Sequence, residues 1–126
     1  MLISPKPQID APPCPPPTMA GEVVVVSTTL PGSLNEDGVK AFLEPFVNGR
    51  LAACIQRSKV SSSYIWKGEY CDEEEWKIEL KTSRSRLAEL LTLLAESHPY
   101  EEPEITHTIQ GASEGYADWV TEVTEG

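Results

Sequence analysis

Glu22-Val23-Val24-Val25-Val26-Ser27-Thr28-Thr29 is the stretch from which the fold is read. A short run of β-branched residues with no solvent-facing alternation is the pattern of a strand covered on both faces. It is therefore expected at the centre of a sheet. The turn residues Leu30-Pro31-Gly32 follow, and Ser33 with Glu36 has capping-box spacing, so a helix is expected from Leu34 or Asn35. Val39, Phe42, Leu43, Phe46 and Val47 recur at helical spacing and supply its buried face, and Asn48-Gly49 closes it. Pro45 conflicts with that pattern and predicts a kink or an early break.

Further along, Leu51 to Ile55 reads as a strand of small side chains, and Tyr64 to Tyr70 as a second strand that continues or partners it. Cys71 to Glu75 reads as an acidic turn. Trp76, Ile78 and Leu80 then alternate with Lys77, Glu79 and Lys81, the period of a strand with one buried face. Leu87, Leu90, Leu91 and Leu94 place a helix over Arg84 to Ser97, capped by Thr82 or Ser83 and stopped at His98 by Pro99. Glu104 to Ile109 completes the strands, and Glu114 to Val123 a terminal helix. The order β-α-β-β-α-β with a C-terminal helix is that of an α+β, ferredoxin-like sandwich.

The 126 residues suit a single domain. Seven of the 11 prolines fall within the first seventeen residues. Residues 1–20 are accordingly expected to be a disordered proline-rich tail, and residues 21–126 the folded domain. The formal net charge of -10 repels phosphate backbones and anionic lipid, so neither nucleic acid nor membrane is an expected partner. The odd count of three cysteines, with no C-x-x-C pair, argues against a disulfide framework and for a reducing, cytoplasmic location. No Ser-His-Asp arrangement, Gly-rich phosphate loop or H-E-x-x-H stands out, and His107 has no second histidine at ligand spacing. The chain is not expected to be an enzyme.

Taken in order, Leu51-Ala52-Ala53-Cys54, Tyr64-x-Trp66-x-Gly68, Lys81-Thr82, His98-Pro99-Tyr100-x-x-Pro103-Glu104 and Tyr116-x-x-Trp119 resemble the CutA divalent-cation-tolerance proteins. The resemblance implies a cytoplasmic homotrimer of ferredoxin-like subunits, built like the PII-type signalling trimers and linked to tolerance of copper and other divalent cations. It also implies that the long hairpin and edge strands of neighbouring subunits pair. Such an assembly would account for the aromatic load of Tyr64, Trp66, Tyr70 and Trp76, which exceeds what one small sheet face needs.

Two sites follow as expectations. His98, at a helix C-terminus where the dipole favours a cation and raises the imidazole pKa, is either a capping group or a ligand for copper or another divalent cation, with Glu101, Glu102 and Glu104 nearby. Metal-binding relatives carry a cysteine at the end of the first strand and a histidine pair before Pro-Tyr. Here Ser27 or Thr28 and Ser97 stand at those positions, and a hydroxyl is a poor ligand for a soft ion. In the implied assembly Lys81, Tyr100, Glu104 and Tyr64 converge near a subunit boundary, either to bind a small anion or metabolite or to satisfy one another. Cys54 is expected to be an inert core thiol and Cys71 a more accessible one of low reactivity. The leading function is a non-enzymatic trimeric protein of the divalent-ion response. A structural trimerisation scaffold without a physiological metal is the alternative, and acid-base chemistry by His98 and Glu104 a third.

Overall fold

The valine run is divided between two cores. In the computed structural model, which describes residues 16–125, strand β1 (Gly21–Pro31) lies inside a four-stranded antiparallel sheet. The remaining elements are α1 (Glu36–Asn48), β2 (Cys54–Trp66), β3 (Glu69–Thr82), a 3-10 turn (Arg84–Arg86), α2 (Leu87–Ser97), β4 (Thr106–Ala112) and α3 (Glu114–Glu125). The strand order is β2-β3-β1-β4, the ferredoxin-like arrangement expected from the element order. The proline-rich tail falls, for residues 1–15, outside the described residues, and residues 16–20 carry no regular structure and are exposed.

Strand alternation decides which side chain enters which core. Val26 and Leu30 turn to one face, where the register sets them opposite Leu80 and Trp76 of β3. Those residues, with Ile78, meet Val39, Leu43 and Phe46 of α1 and Leu90 and Leu94 of α2. Val23 and Val25 turn to the other face and meet Ala117 and Val120 of α3. Val23 through Val26 are all at most 3% exposed, which is why the sequence shows no polar alternation there. At about 1.5–3 kcal/mol for each large aliphatic side chain buried, both helical layers depend on this strand.

Several local expectations change. The cap of α1 is Asn35, whose Oδ1 accepts from Gly38 N–H at 2.8 Å, and not Ser33. Pro45 causes no early break, since α1 runs on to Asn48. The proline sits near the end of the helix, and the carbonyl it orphans, that of Ala41, belongs to an exposed residue that water can reach. Val47, expected on the buried face, is 47% exposed. Leu51 to Ala53 precede the strand: Leu51 and Ala52 both donate to the Phe46 carbonyl, after Arg50 turns the chain at φ 57.

The acidic turn expected at Cys71 to Glu75 is strand. The reversal occurs earlier, at Lys67-Gly68, where φ of 50 and 82 make the left-handed pair that tight hairpins use and that Gly68 adopts without a Cβ penalty. Glu74, Glu73 and Asp72 then pair with Ser61, Ser62 and Ser63. Polar residues pairing with polar residues leave no apolar alternation to read. Ser83 does not cap α2 with its side chain, because its hydroxyl bonds Thr124 Oγ1 at 2.9 Å and ties α3 down. Pro99 ends α2 as expected, with His98 extended at φ -68, ψ 136. Strand β4 is shifted two to three residues beyond the expected Glu104 to Ile109.

Asn35→Ala is expected to lower stability by about 1 kcal/mol in urea unfolding, while Ser33→Ala changes it by less than about 0.5 kcal/mol. The reverse order of the two would restore the Ser33 capping box.

Candidate functional site

Where α2 stops, the chain enters a hydrogen-bonded path that crosses three elements. Pro99 holds His98 out of the helix, so the imidazole turns back over the sheet. His98 Nδ1 accepts from Tyr100 N–H at 3.1 Å. A nitrogen that accepts carries no proton, so the proton sits on Nε2, which donates to Thr28 Oγ1 at 2.9 Å. The Thr29 backbone also lies within reach of the ring as an acceptor. Tyr100 in turn donates its phenol to Glu75 Oε2 at 2.6 Å. The path Thr28–His98–Tyr100–Glu75 thus joins β1, the end of α2 and β3.

This environment reverses the expected titration of His98. Burial lowers its pKa, and the Thr29 backbone bond and the Glu75 charge, which pull upward, do not restore it. Thr28 is fully buried and already bonded to the ring. With both ring nitrogens engaged, His98 offers no free lone pair to a cation in this arrangement. Among the described residues, no three His, Cys, Asp or Glu side chains are grouped to hold a metal ion.

Glu75 is the residue that the sequence did not single out. It is 7% exposed, at the start of the buried half of β3. Burial pushes its carboxyl up, but the hydroxyls of Tyr100, Ser62 and Thr29, with His98 beyond, hold it below the usual carboxylate range. The Tyr100 phenol is raised by burial and by the Glu75 it donates to. Burial and a bond to Glu73 push Tyr64 up to about 12. The odd-numbered face of the Trp76 to Leu80 alternation extends back to Glu75, but that face reads as solvated, so periodicity gives no sign of its burial.

A cleft of about 550 Å³ opens over this carboxylate. Within the single chain Tyr64, Tyr100 and Glu104 line it together with Trp66, Glu101 and Glu102. Lys81 of the same chain lies elsewhere. It pairs with Val25 and Cys54, six residues along β3 from Glu75, or ~20 Å of strand. Its Nζ lies 5.8 Å from the centroid of the Tyr116 ring. Glu104 instead reaches Lys77, 3.5 Å away on the same strand as Glu75. His107 is exposed on β4, Cys54 is half-buried beside Tyr116, and the Cys71 thiol points to the Glu69 carbonyl at 3.7 Å.

The sequence model of the CutA1 divalent ion tolerance protein family matches residues 24–123, from the central strand through α3. The chain belongs to the CutA1 family. It is 32% identical over 101 residues to the divalent-cation tolerance protein CutA of Thermotoga maritima, covering 79% of this chain and 97% of that protein. Against protein CutA of Homo sapiens it is 33% identical over 107 residues, covering 83% of this chain but 58% of the human one. The CutA structure from Synechococcus elongatus superposes with a TM-score of 0.75 at 28% identity, covering 82% of this chain and 91% of that one. A structure described as PII-like protein CutA from Nostoc in apo form gives 0.72 at 29% identity, covering 80% and 96%. The CutA1 match therefore includes both the His98 path and the cleft.

Both His98 and Glu75 have folded-state pKa values below their ordinary ones, so each binds protons more readily in the unfolded chain. The stability they contribute is complete above the ordinary value and is lost as pH falls through the folded one. Thermal melts should accordingly show stability declining first below an ordinary imidazole pKa of about 6.5 and again in the carboxylate range. His98→Gln should remove the first decline and Tyr100→Phe should shrink the second. Unchanged profiles in both variants would show that the path does not couple to folding.

Proposed function

We propose that the chain acts as a non-enzymatic, homotrimeric, cytoplasmic protein of the divalent-ion response, with the Tyr64–Tyr100–Glu104 cleft binding a small ligand beside a subunit boundary. The observation that carries this reading is that the cleft is bounded by the long hairpin, whose tip exposes large apolar side chains. Ile65 and Tyr70, a cross-strand pair near the tip, are 64% and 68% exposed. Strands β2 and β4 form the two edges of the sheet, and an open edge beside exposed aromatics is a surface that pairing with another copy would cover. The PII-like description of the Nostoc relative supports the same assembly. The free thiols of Cys54 and Cys71 suit a reducing compartment. No helix among the described residues is long and apolar enough to cross a membrane.

A divalent ion at His98 is not part of this reading. Copper or zinc must displace the bond to Thr28 or to Tyr100 before the ring can act as a ligand. Isothermal titration with Cu(II) and Zn(II) should therefore give weak heats that His98→Ala leaves unchanged. Micromolar binding abolished by that substitution would make His98 a ligand.

Light scattering after gel filtration should return three times the 13.9 kDa chain mass. Replacing Ile65 and Tyr70 together with glutamate should shift that mass toward one chain. A single-chain mass for the unsubstituted protein would remove the trimer and the subunit-boundary cleft with it.

A further inference from the structure

The charge that this chain's own residues present to the cleft bears on the chemistry of what the cleft can hold. Four carboxylates line it, Glu75, Glu101, Glu102 and Glu104, and among the described residues no Lys, Arg or His does. Lys67 and Lys77 stand at the rim, each spent on one carboxylate, Glu101 at 3.6 Å and Glu104 at 3.5 Å. Among the described residues no ion pair reaches Glu75 or Glu102. Glu75 is thus a carboxylate more than nine-tenths buried, stabilised by hydroxyls without a counter-ion, and facing an open cleft. A buried charge in that condition favours a cation that enters the cleft.

The rest of the lining selects the kind of cation. A hard divalent metal needs several oxygen or nitrogen donors converging on one point, and the described residues contain no such group. The walls are instead aromatic, formed by Tyr64, Trp66 and Tyr100, and an aromatic face attracts an ammonium group within about 6 Å of its centroid. The protein's own Lys67 displays this pairing at the rim, with Nζ 5.6 Å from the Trp66 centroid while bound to Glu101. A volume of about 550 Å³ also lies in the range of small-molecule pockets.

We propose that the cleft recognises a small organic ammonium ion, its charge set against Glu75 and Glu102 and its carbon skeleton against Tyr64, Trp66 and Tyr100. This rests on the cleft being a ligand site, as proposed above, and names the class of ligand it takes. An anionic metabolite, which the expected presence of Lys81 would have suited, is disfavoured by the carboxylates.

The test is calorimetric titration of the full-length chain with choline and with putrescine, alongside acetate and 3,3-dimethylbutan-1-ol, the uncharged isostere of choline. The Trp66 indole N–H resonance reports where each probe sits. At least one ammonium should bind, shift that resonance and weaken with added salt, while the neutral alcohol binds about tenfold less tightly or worse, a difference of about 1.4 kcal/mol. Glu75→Gln should weaken the ammonium about tenfold. Glu102→Gln, at an exposed residue with no ion pair among the described residues, should weaken it by a smaller factor, and it decides the matter if thermal melts show Glu75→Gln to be unfolded. The proposal is overturned by equal binding of the alcohol, by preference for acetate, by wild-type affinity in the folded variants, or by no binding of either ammonium. Acetate or the alcohol shifting Trp66 while neither ammonium does would leave the cleft standing as a ligand site with the cation class wrong. Silence of Trp66 toward all four probes would remove the cleft reading itself.

Discussion

Burial of β1 on both faces is the constraint on which the other elements depend. Val26 and Leu30 belong to the core under α1 and α2, and Val23 and Val25 to the core under α3. A one-residue slip against β3 would exchange these sets and pull apart both layers at once. The same register carries Thr28 and Thr29 to the end of the sheet where α2 terminates. Thr28 enters the helix-side interior and reaches His98, while Thr29 turns to the opposite face and lines the cleft. The packing that stabilises the fold therefore also aims the polar groups.

The path from Thr28 through His98 and Tyr100 to Glu75 shows how burial is reconciled with polarity. Each group in it donates to or accepts from the next, which pairs the imidazole, the phenol and the carboxylate with one another. Hydroxyls and a phenol can lower a carboxyl's pKa, as they do for Glu75, without supplying the opposite charge that would neutralise it. The result is a negative centre under an aromatic rim.

Different parts of this arrangement were legible to different degrees. The valine run, the alternation of Trp76, Ile78 and Leu80, and the leucine stripe of α2 gave the sheet and its helices, because each pattern is the direct image of one buried face. The stop at Pro99 was equally local. The hairpin was misread where Ser61 to Ser63 pair with Asp72 to Glu74, since a ladder of polar residues exposed on both faces leaves no period for inspection. The Ser33 cap failed because Asn35 competes two residues later with the better-placed side chain. Within one chain the cleft brings Tyr64, Tyr100 and Glu104 together from the hairpin and the segment after α2, while Lys81 lies six residues along β3 from Glu75.

The sequence by itself determined the order of the elements, the centrality of β1, the end of α2 and the kinship to CutA1, all of which rest on periodicity, turn chemistry or residues in a fixed order. Only the tertiary structure decided that Glu75 is buried, that both nitrogens of His98 are engaged, that its pKa is lowered, and that the cleft is acidic and aromatic without a lysine. Those properties depend on which side chains meet across the sheet and how far water is excluded from them. Neither quantity is a function of neighbours along the chain: Thr28 and His98 are 70 residues apart in sequence and 2.9 Å apart in space.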